Sequence, residues 1–519
     1  MTIVDINFSA IAPLVTLATA ALIVLVLDLI LPERQGRPWW YAVSLGGILL
    51  ALWYVFSLWN ASGGGGTAAG LGRLTQGLTA FGGAYIVDRF GLLFGVVVLI
   101  AAFLATLLSV LRREEDIAGF LALVLWAATG MMVLAGAGNF LTLFLGLELL
   151  SLSLYVLVAF GQGDARAKEA GFKYLVLGSV ASAAMLYGLA FIYGATGSMS
   201  LSGIVMGWLS GGSTLLKVGV GLVLLAFAFK LALVPFHLWA PDVYQGAPAP
   251  VTAFMTVGTR AAAFAALVRF VMAAVPDLGG NLLVPLWVAA ILSMVVGSLG
   301  ACVQGSVKRI LAYSGIAHAG YLILAMLGLT GQGVAAGVFY LLAYLFMNIG
   351  AFAVVVWIGR QGGEGDRLED FRGLFFERPV LAGVMTLFML SLIGFPTTAG
   401  FSGKLLLVST ALSSGAGAGG WLVGALAVTS AISAYAYLRV VMVMFGDRQA
   451  AQSAAAAGAE AEAAATAETS AGAAAVGGER HGFSPALALV VLVCVAGTLY
   501  LGLMPGAAIS LAANLLPLP

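Results

Sequence analysis

Long apolar runs recur along the whole chain, and they constrain its fold more than any other feature of the sequence. A helix of about 20 residues is needed to cross a hydrocarbon core about 30 Å thick. Fourteen runs reach about that length, so the sequence predicts an all-α polytopic membrane protein with about 14 transmembrane helices. The predicted spans are approximately 9–31, 40–59, 90–111, 117–136, 139–160, 171–193, 218–239, 250–275, 283–304, 310–329, 335–358, 380–412, 421–445 and 485–503.

The overall composition supports a chain that is solvated by a lipid bilayer. Hydrophobic residues make up 62% of the sequence and charged residues 9%, with a mean hydropathy of +1.07. Soluble domains carry about a quarter charged residues, so the composition excludes a soluble globular protein. The net charge is +1, and Lys and Arg form no basic patch. Nucleic acid is therefore not a predicted partner.

Metal and redox ligands are scarce in this sequence. Cys302 and Cys494 each lie in an apolar run, where free cysteine packs as a small hydrophobe. The three histidines, His237, His318 and His481, are too scattered to predict a metal site. We therefore expect no metal and no cofactor in this chain.

The charges of the connecting loops predict the orientation in the membrane. Fourteen Lys and Arg residues lie in odd-numbered loops, and only Arg73, Arg89 and Lys217 lie in even-numbered ones. Cytoplasmic loops retain Lys and Arg. Both termini are thus predicted to face the periplasm of a bacterial inner membrane, with the first apolar run retained as a span.

Residues 449–478 are rich in Ala, Gly, Ser, Thr and Glu, a composition that favours a disordered cytoplasmic loop over a fraying helix.

Eight ionisable residues fall inside predicted spans, where each costs about 2.5–3.5 kcal/mol near the bilayer centre and is a functional candidate by default. They are Asp28, Glu148, Lys173, Lys230, Arg260, Arg269, Lys404 and Arg439. Asp28, Arg269 and Arg439 lie near span ends, from which side chains can reach water, so we interpret them as structural. Lys173 follows Glu169 by four residues, a spacing that stacks two side chains on one helix face. It is either a plain ion pair or a proton-entry element.

Glu148 and His318 are polar residues near the middle of their predicted spans. Glu148 lies about 13 Å along the helix from the start of the fifth span. Ser151 and Tyr155 continue a polar stripe on the same face, which favours a water-lined path. His318 lies about nine residues into the tenth span. A neutral, satisfied histidine is the ordinary interpretation, and a role in the water path is the alternative, since His titrates nearest to neutral pH.

Two spans combine a lysine with a helix-breaking proline. Pro235 follows Lys230 by five residues in the seventh span, and Pro396 precedes Lys404 by eight in the twelfth. Proline interrupts a helix, and the freed backbone groups are tolerated in a membrane only where protein or water satisfies them. Two interrupted helices in corresponding positions predict a transporter built from two inverted repeats.

Three motifs in these spans resemble subunit N of bacterial respiratory complex I, the proton-translocating NADH-quinone oxidoreductase. They are FKLALVPFHLWAPDVYQGAPAPVTAF at 229–254, LAYSGIAHAGY at 311–321 and GFPTTAGFSGK at 394–404. The resemblance covers 11–503 except the Ala-rich segment. Sister subunits L and M and the cation/proton antiporters share the lysine and proline pattern. Their sequences do not resemble the DVYQG stretch that this chain has at 242–246.

The resemblance implies a division of the chain and a set of partners. Spans 4–8 and 9–13 would be two inverted five-helix repeats with broken helices 7 and 12. The expected segments are 1–116, 117–275, 283–445, the Ala-rich loop 446–484, and 485–519. The resemblance also implies sister antiporter-like membrane subunits as partners, with flavin, iron-sulfur clusters and quinone bound in partner subunits.

The resemblance also assigns roles to the buried charges. Lys230 and Lys404 would carry protons, with His318 in the same path, and Glu148 would modulate Lys230. Arg260 stands where the family has a lysine, and arginine cannot hand on its proton, so its role would be electrostatic, whereas Lys173 keeps an electrostatic or an entry role. The predicted function is proton translocation coupled to quinone reduction. The alternatives are a cation/proton antiporter subunit and a passive scaffold whose ion pairs fix helix register.

Overall fold

Helices make up nearly all of the described chain. The computed structural model describes residues 7–61, 78–111, 116–161, 164–274, 284–326, 331–359, 365–413, 419–446 and 484–512. The predicted Ala-rich loop at 449–478 lies outside these ranges. The first eight helices are α1 (Phe8–Ile30), α2 (Glu33–Ala61), α3 (Arg89–Ser109), α4 (Ile117–Ala135), α5 (Phe140–Val158), α6 (Ala165–Thr196), α7 (Leu201–Leu209) and α8 (Thr214–Lys230). The others are α9 (Trp239–Gly246), α10 (Ala249–Ala274), α11 (Val284–Cys302), α12 (Val307–Ile323), α13 (Gly331–Gly359), α14 (Leu374–Glu377), α15 (Pro379–Ile393), α16 (Ala399–Ser413), α17 (Gly419–Met444), α18 (Pro485–Leu503) and α19 (Pro505–Ala512).

The helices account for the predicted membrane crossings. Within the described ranges, 12 helices are long and apolar enough to span a membrane. The α8 helix fills the first part of the seventh predicted span, and α9 begins at the last residue of that span. The twelfth predicted span is divided between α15 and α16. The predicted fold class, an all-α polytopic membrane protein, is confirmed.

Both interruptions lie where the prolines predict them, and their backbones leave the helical region. Between α8 and α9, Ala232 has φ of 58°. Between α15 and α16, Gly394 has φ of 92° and Thr397 has φ of 74°. An L residue rarely adopts this left-handed conformation, and such strain concentrates at functional sites. The interruptions are therefore specific features of the fold.

Polar residues at the membrane surface start several of the helices. The side chains of Asp88, Asp116, Asn139 and Ser306 accept hydrogen bonds from the first-turn backbone of α3, α4, α5 and α12. These N-caps satisfy backbone N–H groups that have no partner within the helix. The capping residues thus fix where the apolar spans begin.

A glycine pair sets the distance between α6 and α8. A Cβ on Gly188 would lie 2.7 Å from the carbonyl oxygen of Gly219, and a Cβ on Gly219 would lie 2.8 Å from that of Gly188. Small residues let membrane helices approach to backbone contact. This approach brings the lysine at the end of α8 within reach of side chains on α6.

Arg260, His318 and Tyr344 lie on three of the most buried helices, α10, α12 and α13. The α10 helix is buried along its whole span, and α12 and α13 are largely buried, whereas α6, α11, α17 and α18 expose most of theirs. The α10 and α13 helices pack against each other and join the two predicted repeats. Their polar side chains therefore line an interior seam, as expected for functional groups in a membrane protein.

Two features of the fold were not predicted from the sequence. Strands β1 (Leu78–Ala80) and β2 (Tyr85–Val87) form an antiparallel hairpin before α3, with Thr79 opposite Ile86. The short helix α7 lies between α6 and α8 and packs against α10. Both segments are too short to produce the apolar runs from which spans are predicted.

Arg269 is buried, so the reason expected for its structural role, a side chain that extends from the span end to water, is wrong. Its side chain is 1% exposed and forms an ion pair with Asp88, which caps α3. The Nε of Arg269 also donates to the carbonyl oxygen of Ala135, at 2.8 Å. The partner is 181 residues away, so neither helix alone indicates the pair. The pair ties the N-terminal three-helix segment to α10.

We predict that Arg269→Met destabilises the protein by about 3–5 kcal/mol, because it removes a cation that is ion-paired with the buried Asp88 carboxylate. The double variant Asp88→Asn with Arg269→Met should recover part of this loss. Thermal unfolding of the purified protein measures both.

The matched control is Arg439→Met. Arg439 donates to the carbonyl oxygens of Cys302 and Gln304, at 2.7 and 2.6 Å. These partners are neutral, so the loss of Arg439 does not separate an ion pair. Equal losses for Arg269→Met and Arg439→Met would show that the buried charge is not the cause.

Candidate functional site

Lys230 ends α8 and directs its ammonium group away from its own helix end. The residue is 4% exposed. Its Nζ donates to Ser151 Oγ at 2.8 Å and to Tyr174 Oη at 3.1 Å, and it lies 5.3 Å from the centre of the Tyr174 ring. The carbonyl oxygen of Phe229 is instead occupied by Trp239 Nε1, at 3.0 Å. Hydroxyl groups on α5 and α6 therefore hold this buried lysine.

Glu148 lies one turn before Ser151 on α5, as the sequence predicts. Within the described residues it forms no ion pair with Lys230, and its buried Oε1 has no hydrogen-bond partner. Ser151 follows Glu148 by three residues, and its Oγ accepts a hydrogen bond from Lys230. Any influence of Glu148 on Lys230 in this state therefore acts through space or through Ser151.

Lys173 lies at the rim of the bundle and is half exposed. The expected pair with Glu169 is present, with Nζ 2.8 Å from the carboxylate. The same Nζ also lies 3.0 Å from Asp242 on α9, which the sequence interpretation did not include. Lys173 directly precedes Tyr174, whose hydroxyl binds Lys230. A rim residue is therefore adjacent in sequence to a partner of the buried lysine.

Arg260 lies at the centre of the seam between α10 and α13 and is 2% exposed. Its Nη1 donates to Tyr344 Oη at 2.6 Å, and its Cζ lies 5.3 Å from the Tyr344 ring and 6.0 Å from the Tyr244 ring. Among the described residues, its Nε and Nη2 have no hydrogen-bond partner. Gly315 packs directly against the guanidinium. A fixed positive charge thus sits among tyrosines.

His318 has a hydroxyl group at each ring nitrogen. Tyr340 Oη lies 2.6 Å from Nδ1, and Tyr437 Oη lies 3.3 Å from Nε2. The Tyr437 hydroxyl in turn lies 2.5 Å from Ser314 Oγ. A neutral imidazole donates from one nitrogen and accepts at the other. The ring can therefore accept a proton on one side and release one on the other.

Lys404 follows the second interruption and binds the carbonyl groups at its edge. Its Nζ donates to the carbonyl oxygens of Leu392 and Ile393, at 3.1 and 2.9 Å, and to Ser430 Oγ at 3.1 Å. It also lies 5.1 Å from the Tyr321 ring. The carbonyls belong to the C-terminal end of α15, where a cation is favoured by the helix dipole.

The sequence interpretation missed the tyrosines that surround these charges. Tyr174, Tyr340, Tyr344 and Tyr437 are all buried. A hydroxyl is tolerated inside a membrane span more readily than a charge, so a buried tyrosine does not stand out in the sequence as a buried lysine does. The four-residue spacing of Tyr340 and Tyr344, which places them on one helix face, was the available signal.

In the described part of the chain, no group of three or more His, Cys, Asp or Glu residues lies close enough to hold a metal ion. The groups gathered at the site are amines, a guanidinium, hydroxyls, an imidazole and a carboxylate.

Comparisons with known proteins agree with this fold. Residues 137–433 match the family model described as NADH:quinone oxidoreductase/Mrp antiporter, transmembrane. NADH-quinone oxidoreductase subunit N 1 of Symbiobacterium thermophilum is 44% identical, over 97% of each chain. A chain of respiratory complex I from Thermus thermophilus with bound aureothin superposes with a TM-score of 0.74 and 35% identity, covering 96% of this chain and 99% of that one. A chain of an Mrp complex from a Dietzia species shares the fold, with a TM-score of 0.75, 22% identity, and 98% and 97% covered.

The chain therefore belongs to the NADH:quinone oxidoreductase/Mrp antiporter family of multi-pass membrane subunits. Within that family its similarity is to subunit N of NADH-quinone oxidoreductase, in agreement with the motifs noted in the sequence. Its structural neighbours are chains of respiratory complex I and of an Mrp complex.

We predict that Gly315→Ala disturbs the Arg260 site, because the added Cβ would lie 2.6 Å from Nη1 of the guanidinium. Overpacking of this kind costs about 1–3 kcal/mol. The midpoint of thermal unfolding measures the loss, and a structure of the variant should show Arg260 displaced.

Gly383→Ala is the matched control. Gly383 also lies inside a helix, but a Cβ there would meet no atom within 4 Å. Alanine should be neutral or stabilising at that position by up to about 1 kcal/mol. A loss of stability equal to that of Gly315→Ala would contradict the close packing at Arg260.

Proposed function

We propose that this chain translocates protons across the bacterial inner membrane as part of NADH-quinone oxidoreductase. The observation that carries the proposal is a pair of buried ammonium groups, Lys230 and Lys404, each at a helix interruption and each hydrogen-bonded to hydroxyls. Quinone reduction, with flavin and iron-sulfur chemistry, takes place in partner subunits under this proposal. The relatives named as subunits of that oxidoreductase support this assignment.

A lysine can act as a proton carrier when its partners neither neutralise its charge nor bind its ammonium form too firmly. Burial disfavours the charged ammonium form, and a nearby carboxylate favours it. Ser151 and Tyr174 accept hydrogen bonds from the charged lysine, and the Tyr174 hydroxyl can also donate to the neutral one, whereas Ser151 donates its proton to the Leu147 carbonyl oxygen. In our proposal, a change in the position or charge of Glu148 lowers the proton affinity of Lys230 and releases its proton.

Between the two lysines, the proposed path follows the polar seam. Arg260 keeps its proton and acts as a fixed charge that orients water and its neighbours. His318 passes a proton between Tyr340 and Tyr437, and Ser430 receives it beside Lys404. Buried polar atoms without a protein partner, such as Glu148 Oε1 and Arg260 Nε, are satisfied in proteins by internal water. We infer that water completes the path at these points.

We predict that Lys230→Met abolishes proton transfer through this chain in the assembled complex. Removal of a proton-transferring group commonly costs on the order of a hundredfold or more in rate. NADH-driven proton uptake by proteoliposomes that contain the purified complex measures the effect. Quinone reduction without a membrane potential reports separately on assembly.

Lys217→Met is the matched control, because Lys217 lies on the same helix but is exposed. It should leave proton uptake unchanged. Normal pumping by Lys230→Met in a fully assembled complex would contradict the carrier role and favour a structural ion-pair scaffold. Transport that requires Na⁺ or K⁺ would favour the antiporter alternative.

We further propose that both termini face the periplasm, on the basis of the loop charges. A thiol introduced as Ala165→Cys, at the exposed first residue of α6, should then react with a membrane-impermeant maleimide only in inside-out vesicles. A thiol introduced as Ser210→Cys, between α7 and α8, should react in intact spheroplasts. Both variants would be made after replacement of Cys302 and Cys494, and the reverse pattern of labelling would overturn the orientation.

A further inference from the structure

The short helix α9 is the part of the fold that touches both the surface charges and the buried site. It follows a non-helical segment, 231–238, so the chain itself does not fix its direction relative to α8. Its eight residues present Asp242 to the rim, and Trp239 and Tyr244 to the interior. Contacts with neighbouring helices must therefore hold α9 in place.

On the rim, Asp242 joins the two predicted repeats through one carboxylate. Its Oδ2 lies 3.0 Å from Lys173 Nζ on α6, and its Oδ1 lies 2.8 Å from Arg309 Nη1 on α12. Arg309 also binds Gln304 Oε1, at 2.9 Å, and Gln245 Oε1, at 3.1 Å. The carboxylate thus belongs to a network, and a network can hold geometry that an isolated surface pair does not.

The first turn of α12 also binds the C-terminal end of α9. Lys308 Nζ donates to the carbonyl oxygens of Gln245 and Ala247, at 3.2 and 3.1 Å. A cation at the end of a helix satisfies its last carbonyls and opposes the helix dipole. Gln245 Nε2 donates in addition to Asp366 Oδ2, at 3.1 Å. We call Lys173, Asp242, Gln245, Lys308 and Arg309 the α9 clamp.

On its inner side, α9 contacts the groups that hold the buried charges. The Trp239 ring stacks on Tyr174 with centroids 4.7 Å apart and planes at 17°. The Tyr174 hydroxyl accepts the hydrogen bond from Lys230, at 3.1 Å. Tyr244, also on α9, lies over the Arg260 guanidinium at 6.0 Å. A shift of α9 would therefore displace the partners of both cations.

We propose that Asp242 is a positioning residue for Lys230: through the α9 clamp it fixes α9, and through Trp239 and Tyr174 it sets the hydrogen bond of the buried lysine. The same clamp connects α12, which carries His318, to the lysine of the first repeat. Movement of the second repeat would thus reach Lys230 through α9. This proposal rests on the proposed function of Lys230 and adds the element that aligns it.

The test uses the assembled complex with Asp242→Asn, Asp242→Ala and Asp242→Glu. Hydrogen–deuterium exchange of the α9 amides reports how firmly α9 is held, and proton uptake per NADH oxidised reports coupling. We expect Asp242→Asn and Asp242→Ala to speed exchange in α9 by about two- to fivefold, the range for loss of a surface ion pair. Proton uptake per NADH oxidised should fall in the same two variants. Asp242→Glu should keep slow α9 exchange and normal proton uptake. Asp242→Asn keeps the side-chain shape, so it stays informative if Asp242→Ala does not assemble.

Two controls separate the clamp from general charge effects. Glu169→Gln removes the other carboxylate bound to Lys173 without touching α9, and it should leave α9 exchange unchanged. Asp116→Asn removes an exposed N-cap carboxylate on α4, far from α9 in sequence, and should leave both readouts unchanged.

Three outcomes would overturn the proposal. Unchanged α9 exchange and unchanged uptake would reduce Asp242 to an ordinary surface pair. Faster exchange with normal uptake would disconnect α9 from Lys230. Normal exchange with lowered uptake would place Asp242 in the proton path itself. All three concern α9, whereas the carrier role of Lys230 is decided separately by Lys230→Met, so the two failures are distinguishable.

Discussion

The structure depends on the cost of holding an ammonium group inside a bundle that lies in lipid. A charge there must have hydrogen-bond partners, and regular helices offer none because their backbone groups bond internally. The interruptions of the seventh and twelfth spans solve this problem in different ways. At Lys404 the freed carbonyls of Leu392 and Ile393 bind the amine directly. At Lys230 the Phe229 carbonyl oxygen accepts instead from Trp239 Nε1 and from the Ala232 backbone, and hydroxyls from neighbouring helices bind the amine.

The need to shelter these charges also explains which helices lie in the centre. The apolar surfaces of α6, α11, α17 and α18 face outward, and α10, α12 and α13 are enclosed. The enclosed helices carry Arg260, His318 and Tyr344, which would be costly against lipid. Glycines such as Gly315 allow the helices to approach these bulky polar groups closely. Packing and polarity are therefore arranged together, with the polar seam at the contact between the predicted repeats.

Much of the fold could be predicted because its causes are local in sequence. Apolar length predicts the spans, and a proline beside a lysine predicts the interruptions at Pro235 and Pro396. The candidate site could be predicted only in part. The positions of Lys230, Lys404 and His318 follow from the sequence, but their partners do not, because they come from distant segments. Tyr174 lies 56 residues from Lys230, Asp242 lies 67 from Arg309, and Asp88 lies 181 from Arg269. Such pairings are set by tertiary packing, and a single sequence does not contain the distances.

The two lysines differ in what their partners can do with a proton. Carbonyl oxygens accept hydrogen bonds but hold no proton to give, so Leu392 and Ile393 can stabilise the charged Lys404 and cannot support its neutral form as donors. Only Ser430 among its direct partners can do both. Lys230 binds two hydroxyls: that of Ser151, which donates its own proton to the Leu147 carbonyl oxygen, and that of Tyr174. A neutral amine keeps two N–H groups and gains a lone pair, so either lysine can still donate two hydrogen bonds after it loses its proton. The lysines differ in the charge that their partners favour: the carbonyls at the C-terminal end of α15 favour a cation, so under the proposed function Lys404 holds its proton more firmly than Lys230.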